Sequence, residues 1–475
     1  MLDKDLVDSF CLEIIANSIK IIKDIKKIST HEFSSDSSKD VLLVINNIAE
    51  SIIISTKSLN KGIDWEDRKL ISSRIRQLKR LKELIQMFSS HLQYIENSKM
   101  DKIPWGLIEP FQNIASSITP NARIILCQQW NYNYSIITTN LFDYYLSQIE
   151  LLEEFISEES FNQLQENLNN PLYLISFPYL EKNNILLYSL LGHEVGHLVA
   201  DKFINKFRPN TLNDIKHTLM DQYNKQFKDI TSIATYIKRC QEIWERLFVE
   251  LLSDVVGGLL FGPAMLFSMF EFSMQFDMDT LPEKKTQFYP PWRTRLRLIL
   301  STISRFIPSL NNIKSDIFTE HDLKKRLLQI KEIVDDNEDI NQINSNDILV
   351  KLIYADVLEK IESNIPYLLK LFNKDNFNEE NFFNNINVLN TRLQNGIPPN
   401  IIDELNLDTV SSIEEIINAA WKYRLSWEAK IFDDNGNFNE KYIEIRKNLN
   451  KLTIKAIEYT NLMNNYKNYN HMKRL

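Results

Sequence analysis

Two imidazoles and a carboxylate fall within five residues at His193-Glu194-Val195-Gly196-His197. Residues four apart on a helix project from one face, so both rings can reach a single metal ion, and Glu194 can point toward a water on that ion. Leu190, Leu191, Leu198 and Val199 supply the apolar positions that would anchor such a helix in a core. Gly192 and Gly196 each lower helix propensity by about 1 kcal/mol relative to Ala, so their presence predicts a backbone or substrate lying close by. The plainer alternative is an ordinary helix with two incidental histidines.

A catalytic zinc takes three protein ligands and keeps one position for water, so two histidines predict a third ligand on a separate element. The stretch from Trp244 to Asp254 offers one: Glu250 and Asp254 are four apart, and Ser253 and Gly257 share their helix face. Carboxylates in an otherwise apolar helix are costly unless they are paired or bound to a metal. Glu245 competes with Glu250 for the ligand role, although it lacks a carboxylate four residues later. Five of the nine glycines (Gly192, Gly196, Gly257, Gly258, Gly262) lie on or beside these two segments. Small residues allow the close helix approach that a shared metal requires, and ordinary tight packing would use them equally.

His193-Glu194-Val195-Gly196-His197 followed by Glu250-x-x-x-Asp254 resembles the gluzincin metallopeptidases, especially the intracellular and membrane-associated group with a Glu-x-x-x-Asp third-ligand helix. The likeness is limited to these active-site motifs. It implies a zincin-like catalytic core in which His193, His197 and Glu250 bind Zn2+. It also implies that Glu194 is the general base toward a zinc-activated water, and that Asp254 hydrogen-bonds a ligating histidine. That supporting role favours Glu250 over Glu245. The implied reaction is hydrolysis of peptide bonds in a protein or peptide substrate. Related peptidases often follow this helix with a His-Pro pair and an arginine, the histidine stabilising the oxyanion. Here Tyr289-Pro290-Pro291 precedes Arg293, Arg295 and Arg297, so Tyr289 is the expected oxyanion donor and a packed tyrosine on a proline turn is the alternative. The three arginines are expected to pair with the acidic helix or to grip a substrate carboxylate, with pairing favoured. By analogy with related folds, Leu172 to Phe177 is expected to offer an edge to which an extended peptide adds as a strand.

Nine glycines in 475 residues, with abundant Leu, Ile, Lys and Glu, predict a mainly α (α+β) protein. Asp64 to Phe88 shows the pattern, with apolar Ile71, Ile75, Leu78, Ile85 and Phe88 at helical spacing and Arg76, Lys79, Arg80 and Lys82 largely on a solvated face. Pro104, Pro110 and Pro120 mark the exit from an N-terminal helical region, taken as 1–115. Arg123 to Ile137 reads as a strand or hairpin, Leu172 to Phe177 as a second strand, and Leu187 to Phe203 and Gln241 to Phe261 as helices. Together they predict a small sheet packed on helices over 116–300, which the resemblance makes the zincin-like metallopeptidase core, followed by a C-terminal helical region over 301–475. Within that region Asp335 to Asp347 and Asn373 to Asn400 suit loops, and Ser412 with Glu415 has capping-box spacing.

Composition narrows the remaining choices. Hydrophobic residues at 44% and charged residues at 25% are those of a soluble globular protein, and a net charge of -8 gives no electrostatic reason to bind nucleic acid. Cys11, Cys127 and Cys240 cannot form a disulfide framework, which fits small buried side chains in a reducing compartment. Val255 to Phe270 is uncharged, but it is short and broken by Gly262-Pro263, so a buried helix followed by a break is expected and the cytoplasm is the expected location. His31, His91, His217, His321 and His471 have no partner at ligand spacing. A regulatory protein partner is a further expectation, since an unselective intracellular protease would be hazardous. Two alternatives differ in class: a helical interaction or regulatory protein with a structural or inactive zinc site, and a membrane-associated protease.

Overall fold

The protein is described here by a computed structural model that covers residues 4–61, 65–103, 105–137, 170–204, 230–279, 289–311, 323–335, 348–403, 409–428, 430–432 and 436–472. Among the described residues it is mainly helical with one small sheet, and the chain divides into two compact units, Met1–Lys182 and Asn183–Leu475.

In the first unit, apolar residues at three- and four-residue spacing make three packed helices. Helix α1 (Lys4–Ile28) buries Val7, Cys11, Ile14 and Ile21, α2 (Ser37–Leu59) buries Val41, Ile45, Ile48 and Ile52, and α3 (Arg68–Glu96) buries Leu78, Leu81, Ile85 and Phe88. The Asp67 carboxylate caps α3 by accepting from the backbone N–H groups of Lys69 and Leu70 at 2.9 and 3.0 Å. Arg76, Lys79 and Arg80 are exposed, as a solvated face requires. By length and composition, α2 is the one helix among the described residues able to cross a membrane, and 56% of its apolar window is buried within the protein. The stretch singled out in the sequence, Val255 to Phe270, is instead two buried helical segments meeting at Gly262.

Helix α4 (Ile108–Ile118) leads into strands β1 (Arg123–Gln129) and β2 (Ser135–Ile137), and β3 is Leu172–Pro178. The order is β1-β3-β2, with β1 parallel and β2 antiparallel to β3. Arg123 to Ile137 is therefore two strands that flank β3 and do not form a hairpin with each other. The register sets Arg123 opposite Leu172 and Cys127 opposite Ser176. Alternate residues point to one face, and Ile125, Cys127, Leu172 and Leu174 join the core of the three helices. Because β3 is central, its Leu174–Ser176 segment already has a ladder on both sides, and the Ser176 and Ser135 hydroxyls sit 2.7 Å apart. Over Leu174–Ser176, the edge expected for an added peptide strand is occupied by β2.

In the second unit a 3-10 turn (Ile185–Leu190) runs into α5, residues 191–204. Then follow α6 (Ile230–Phe261), α7 (Pro263–Ser273), α8 (Trp292–Phe306), α9 (Leu323–Asp335), α10 (Ile348–Leu371), α11 (Glu379–Gln394), α12 (Ile413–Glu428) and α13 (Lys441–Met472). Helix α6 organises the unit, with α8 and α10 packed along it. Trp244 on α6 is fully buried and donates from its indole nitrogen to Asp356 on α10 at 2.7 Å. At the far end Gly262 takes φ +54°, a conformation glycine adopts without a Cβ clash, and Asn418 of α12 donates to the freed Phe261 carbonyl at 2.9 Å.

Two expectations in the C-terminal half resolve differently. Ser412 and Glu415 form a reciprocal capping box ahead of α12, with bonds of 2.8 Å from Ser412 N–H to the carboxylate and 3.2 Å from Glu415 N–H to the hydroxyl. Asn373 to Asn400, expected as loop, contains the helix α11. Its buried Phe382, Ile386, Leu389 and Leu393 recur at helical spacing, and Asn378 caps it by accepting from Asn381 N–H at 2.9 Å. The asparagines weaken intrinsic propensity, and burial of the apolar stripe outweighs them. Residues 336–347, most of the other expected loop, lie outside the described residues.

Candidate metal centre

Helices α5 and α6 cross antiparallel at a contact that only glycine permits. A Cβ on Gly196 would sit 2.7 Å from the Cα and 2.8 Å from the carbonyl oxygen of Ser253. One turn earlier on α5, a Cβ on Gly192 would meet the Phe261 ring at 2.8 Å and the Gly257 Cα at 3.3 Å. The facing Gly257 would meet Met265 at 2.8 Å and the His193 nitrogen at 3.2 Å. Gly192 and Gly196 thus trade helix propensity for backbone contact, as their presence predicted. Ser253 and Gly257, which share the face of Glu250 and Asp254, form the other half of this contact. Gly258 is different: its Cβ would make ordinary contacts at 3.6 Å or more.

The close crossing brings His193, His197 and Glu250 together. One ligand atom from each lies within 4.8 Å of the other two, a group that could hold a metal ion. The two rings stand nearly perpendicular with centroids 4.8 Å apart, and His193 Nε2 is 3.5 Å from Glu250 Oε2. His193 is buried, while the His197 and Glu250 side chains retain 12% and 14% exposure, so the group opens on their side. Glu245 is not in it, nor is Cys240, which is buried elsewhere on α6. Glu194 is buried, and its Oε2 stands 4.0 Å from His197 Nε2.

Asp254 is fully buried and sits 2.8 Å from His193 Nδ1. Its carboxylate is in turn gripped by Arg295 of α8, at 2.7 Å from Nε and 2.8 Å from Nη2. Arg295 Nη2 also lies 3.6 Å from Glu250 Oε2, and its guanidinium stacks 4.8 Å from the Trp292 ring. Of the three arginines expected near the acidic helix, only this one reaches it. Arg293 is held by Asp279 at 2.6 Å and by the Ile333 carbonyl, and Arg297 faces Asp335 at 4.0 Å. Pairing with the acidic helix was expected of Arg295, but sequence reasoning did not set it apart from Arg293 and Arg297. A signal was present: Trp292, Arg295 and Ile299 share one helix face with three- and four-residue spacing, and Arg293 and Arg297 share another.

The electrostatics follow from burial and these contacts. Burial pulls the His193 imidazole down, yet the hydrogen bond and charge of Asp254, with Glu250, raise it to about 10. Burial and the neighbouring His193 push His197 down to about 4, leaving a neutral ring with a free lone pair. Burial lifts the Glu194 carboxyl to about 7, against the charge of His193. For Asp254 burial raises the carboxyl, but Arg295 and His193 outweigh it and hold it down at about 2. For Glu250 the same contest, won by His193, leaves it below its usual value.

The donor set fits a divalent ion. Two imidazoles and a carboxylate converge, and with both rings neutral the ionised Glu250 and Asp254 against one guanidinium leave one uncompensated negative charge, joined by a second when Glu194 ionises.

Tyr289 borders this centre and is 42% exposed. Its phenol is raised by burial and by the charge of Glu250, and its carbonyl accepts from the buried Tyr354 hydroxyl of α10 at 3.2 Å. Residues 280–288, just before it, lie outside the described residues, as do His217 and His321. Compared with protein-family models, with curated proteins and with solved structures, the chain matches none of them.

Proposed function

We propose that this chain is a cytoplasmic zinc-dependent metallopeptidase that hydrolyses peptide bonds of a protein or peptide substrate, with a zincin-like arrangement of α5 and α6 as its catalytic core. One observation carries the reading: His193, His197 and Glu250 converge from two helices distant in sequence, with a buried Glu194 beside them. Two imidazoles and one carboxylate are a donor set that suits zinc at a catalytic site. Among the described residues the group has three members, where a closed structural site takes four protein ligands.

When bound, zinc supplies Lewis-acid polarisation of a carbonyl and lowers the pKa of water. The remaining work falls to side chains. Glu194, held near neutrality by burial, can take a proton from the attacking water and return it to the leaving amine. Asp254 keeps Nδ1 of His193 engaged so that Nε2 faces the ligand group, and Arg295 keeps Asp254 ionised and in place. The Tyr289 phenol, raised above its usual value, stays protonated at neutral pH and can donate to a developing oxyanion.

The test is to incubate the purified zinc-loaded protein with a diverse peptide mixture and to follow new termini by mass spectrometry. Cleavage that stops on chelation and returns with zinc is expected. A protein that binds zinc one-to-one and leaves every peptide intact would sink the hydrolytic reading.

A further inference from the structure

Helix α8 serves two places at once. Arg295 turns toward Asp254, while another face of the helix, carrying Leu298 and Arg305, lines a cavity of about 760 Å3 that Lys331 of α9 and Leu358, Glu362 and Leu369 of α10 complete. That volume lies in the range of small-molecule sites. None of the metal-group residues belongs to it.

The lining combines apolar side chains (Leu298, Leu358, Leu369) with charged ones, of which Arg305 and Glu362 are exposed and Lys331 is half-buried. Arg297 is answered by Asp335, which also lines the cavity, at 4.0 Å. Three other charges are not answered: among the described residues, Arg305, Lys331 and Glu362 make no ion pair. A simple anion placed here would satisfy the two cations and be repelled by Glu362. A simple cation would have the opposite difficulty. A molecule with a carboxylate at one end, an ammonium at the other and apolar groups between satisfies all three charges and covers the leucines.

We propose that this cavity binds a short zwitterionic peptide, or an amino acid, with apolar side chains. The carboxylate lies between Arg305 and Lys331, the ammonium meets Glu362, and the side chains rest on Leu298, Leu358 and Leu369. The proposal does not depend on the hydrolytic reading, because it uses none of that site's residues. If both are true, the ligand is of the kind that hydrolysis releases, and it braces the helix that carries Arg295.

Isothermal titration of the full chain carrying Glu194→Gln, which leaves a peptide ligand intact, tests it with Leu-Leu, N-acetyl-Leu-Leu, Leu-Leu amide and leucine. Leu-Leu is expected to bind, and blocking either terminus to weaken it by about tenfold or more. Glu362→Gln should erase the preference for a free amine, and Arg305→Gln with Lys331→Gln the preference for a free carboxylate. Leucine binding as tightly as Leu-Leu would assign the cavity to amino acids, and weaker leucine binding would assign it to peptides. The proposal is overturned if Leu-Leu does not bind at millimolar concentration, if blocked and free ligands bind equally, or if the wall substitutions leave affinity unchanged. Failure of the wild-type chain to cleave peptides would leave these results standing.

Discussion

His193 Nδ1 lies 2.8 Å from Asp254 Oδ1, and the other oxygen of that carboxylate lies 2.7 Å from Arg295 Nε. The histidine is thus oriented by a carboxylate that is itself oriented by a guanidinium, all three buried. The chain of contacts joins α5, α6 and α8 and points Nε2 of His193 at Glu250.

Removing the guanidinium should cost more than removing both charges. Arg295→Gln leaves Asp254 ionised and fully buried beside one imidazole, and a loss of about 3–5 kcal/mol in unfolding free energy is expected. The double variant Arg295→Gln, Asp254→Asn should recover part of that loss. Asp254→Asn alone should weaken metal binding by about 10- to 100-fold. Urea unfolding of the metal-free proteins and competition with a chelator measure these effects. Strictly additive single and double losses would show that the pair is not coupled.

Glu194 is near the ligand group without belonging to it. Glu194→Gln should therefore keep metal stoichiometry at the wild-type value while lowering peptide hydrolysis by about 100-fold or more. Plasma emission spectrometry on the purified variant and a progress curve on any cleaved peptide give both readings. Unchanged turnover would remove Glu194 from the role of base.

The centre was legible in the sequence because its members carry local signals. His193 and His197 are four apart, Glu250 and Asp254 are four apart, and glycines cluster on both segments. What spacing within one helix does not encode is which helices meet, so Arg295 appeared only as one of three arginines. Sheet pairing failed for the same reason. Nothing in Arg123 to Ile137 states that a strand from residue 172 onward inserts between its two halves, because ladder partners are set by long-range contacts. In α11, local composition was the stronger and misleading signal, and a buried stripe of four apolar residues overrode it.

Two glycine-to-alanine changes should act with opposite sign. Alanine favours a helix by up to about 1 kcal/mol over glycine. At Gly258 the added methyl meets Ile299 and Thr302 at 3.6–3.8 Å, so stability should be unchanged or slightly higher. At Gly196 it would meet the Ser253 backbone at 2.7–2.8 Å, and backbone cannot step aside as a side chain end can. Gly196→Ala should lower the melting temperature and, by spreading α5 from α6, reduce bound metal. A Gly196→Ala protein that melts and binds metal like the wild type would contradict the helix crossing described here.

Metal uptake should release protons, with a pH dependence set by two histidines of opposite behaviour. In the metal-free protein the folded pKa of His193, about 10, is above its unfolded value. Its contribution to stability is therefore complete below about pH 6.5 and is lost as pH rises through about 10. His197 runs the other way: its folded value, about 4, is depressed, so the unfolded chain gains a proton first and stability falls as pH drops from about 6.5 toward 4. Binding through Nε2 requires His193 to give up its proton, whereas His197 is already neutral at pH 7. Titration of zinc into the metal-free protein at pH 7 should thus release at least one proton, with a further fraction from Glu194 as the ion lowers its pKa from about 7. Affinity should rise by roughly tenfold per pH unit until His193 is deprotonated. Calorimetry in two buffers of different ionisation enthalpy counts the protons. A count near zero at pH 7 would mean that the ion does not displace the His193 proton, and the metal would have to be placed elsewhere.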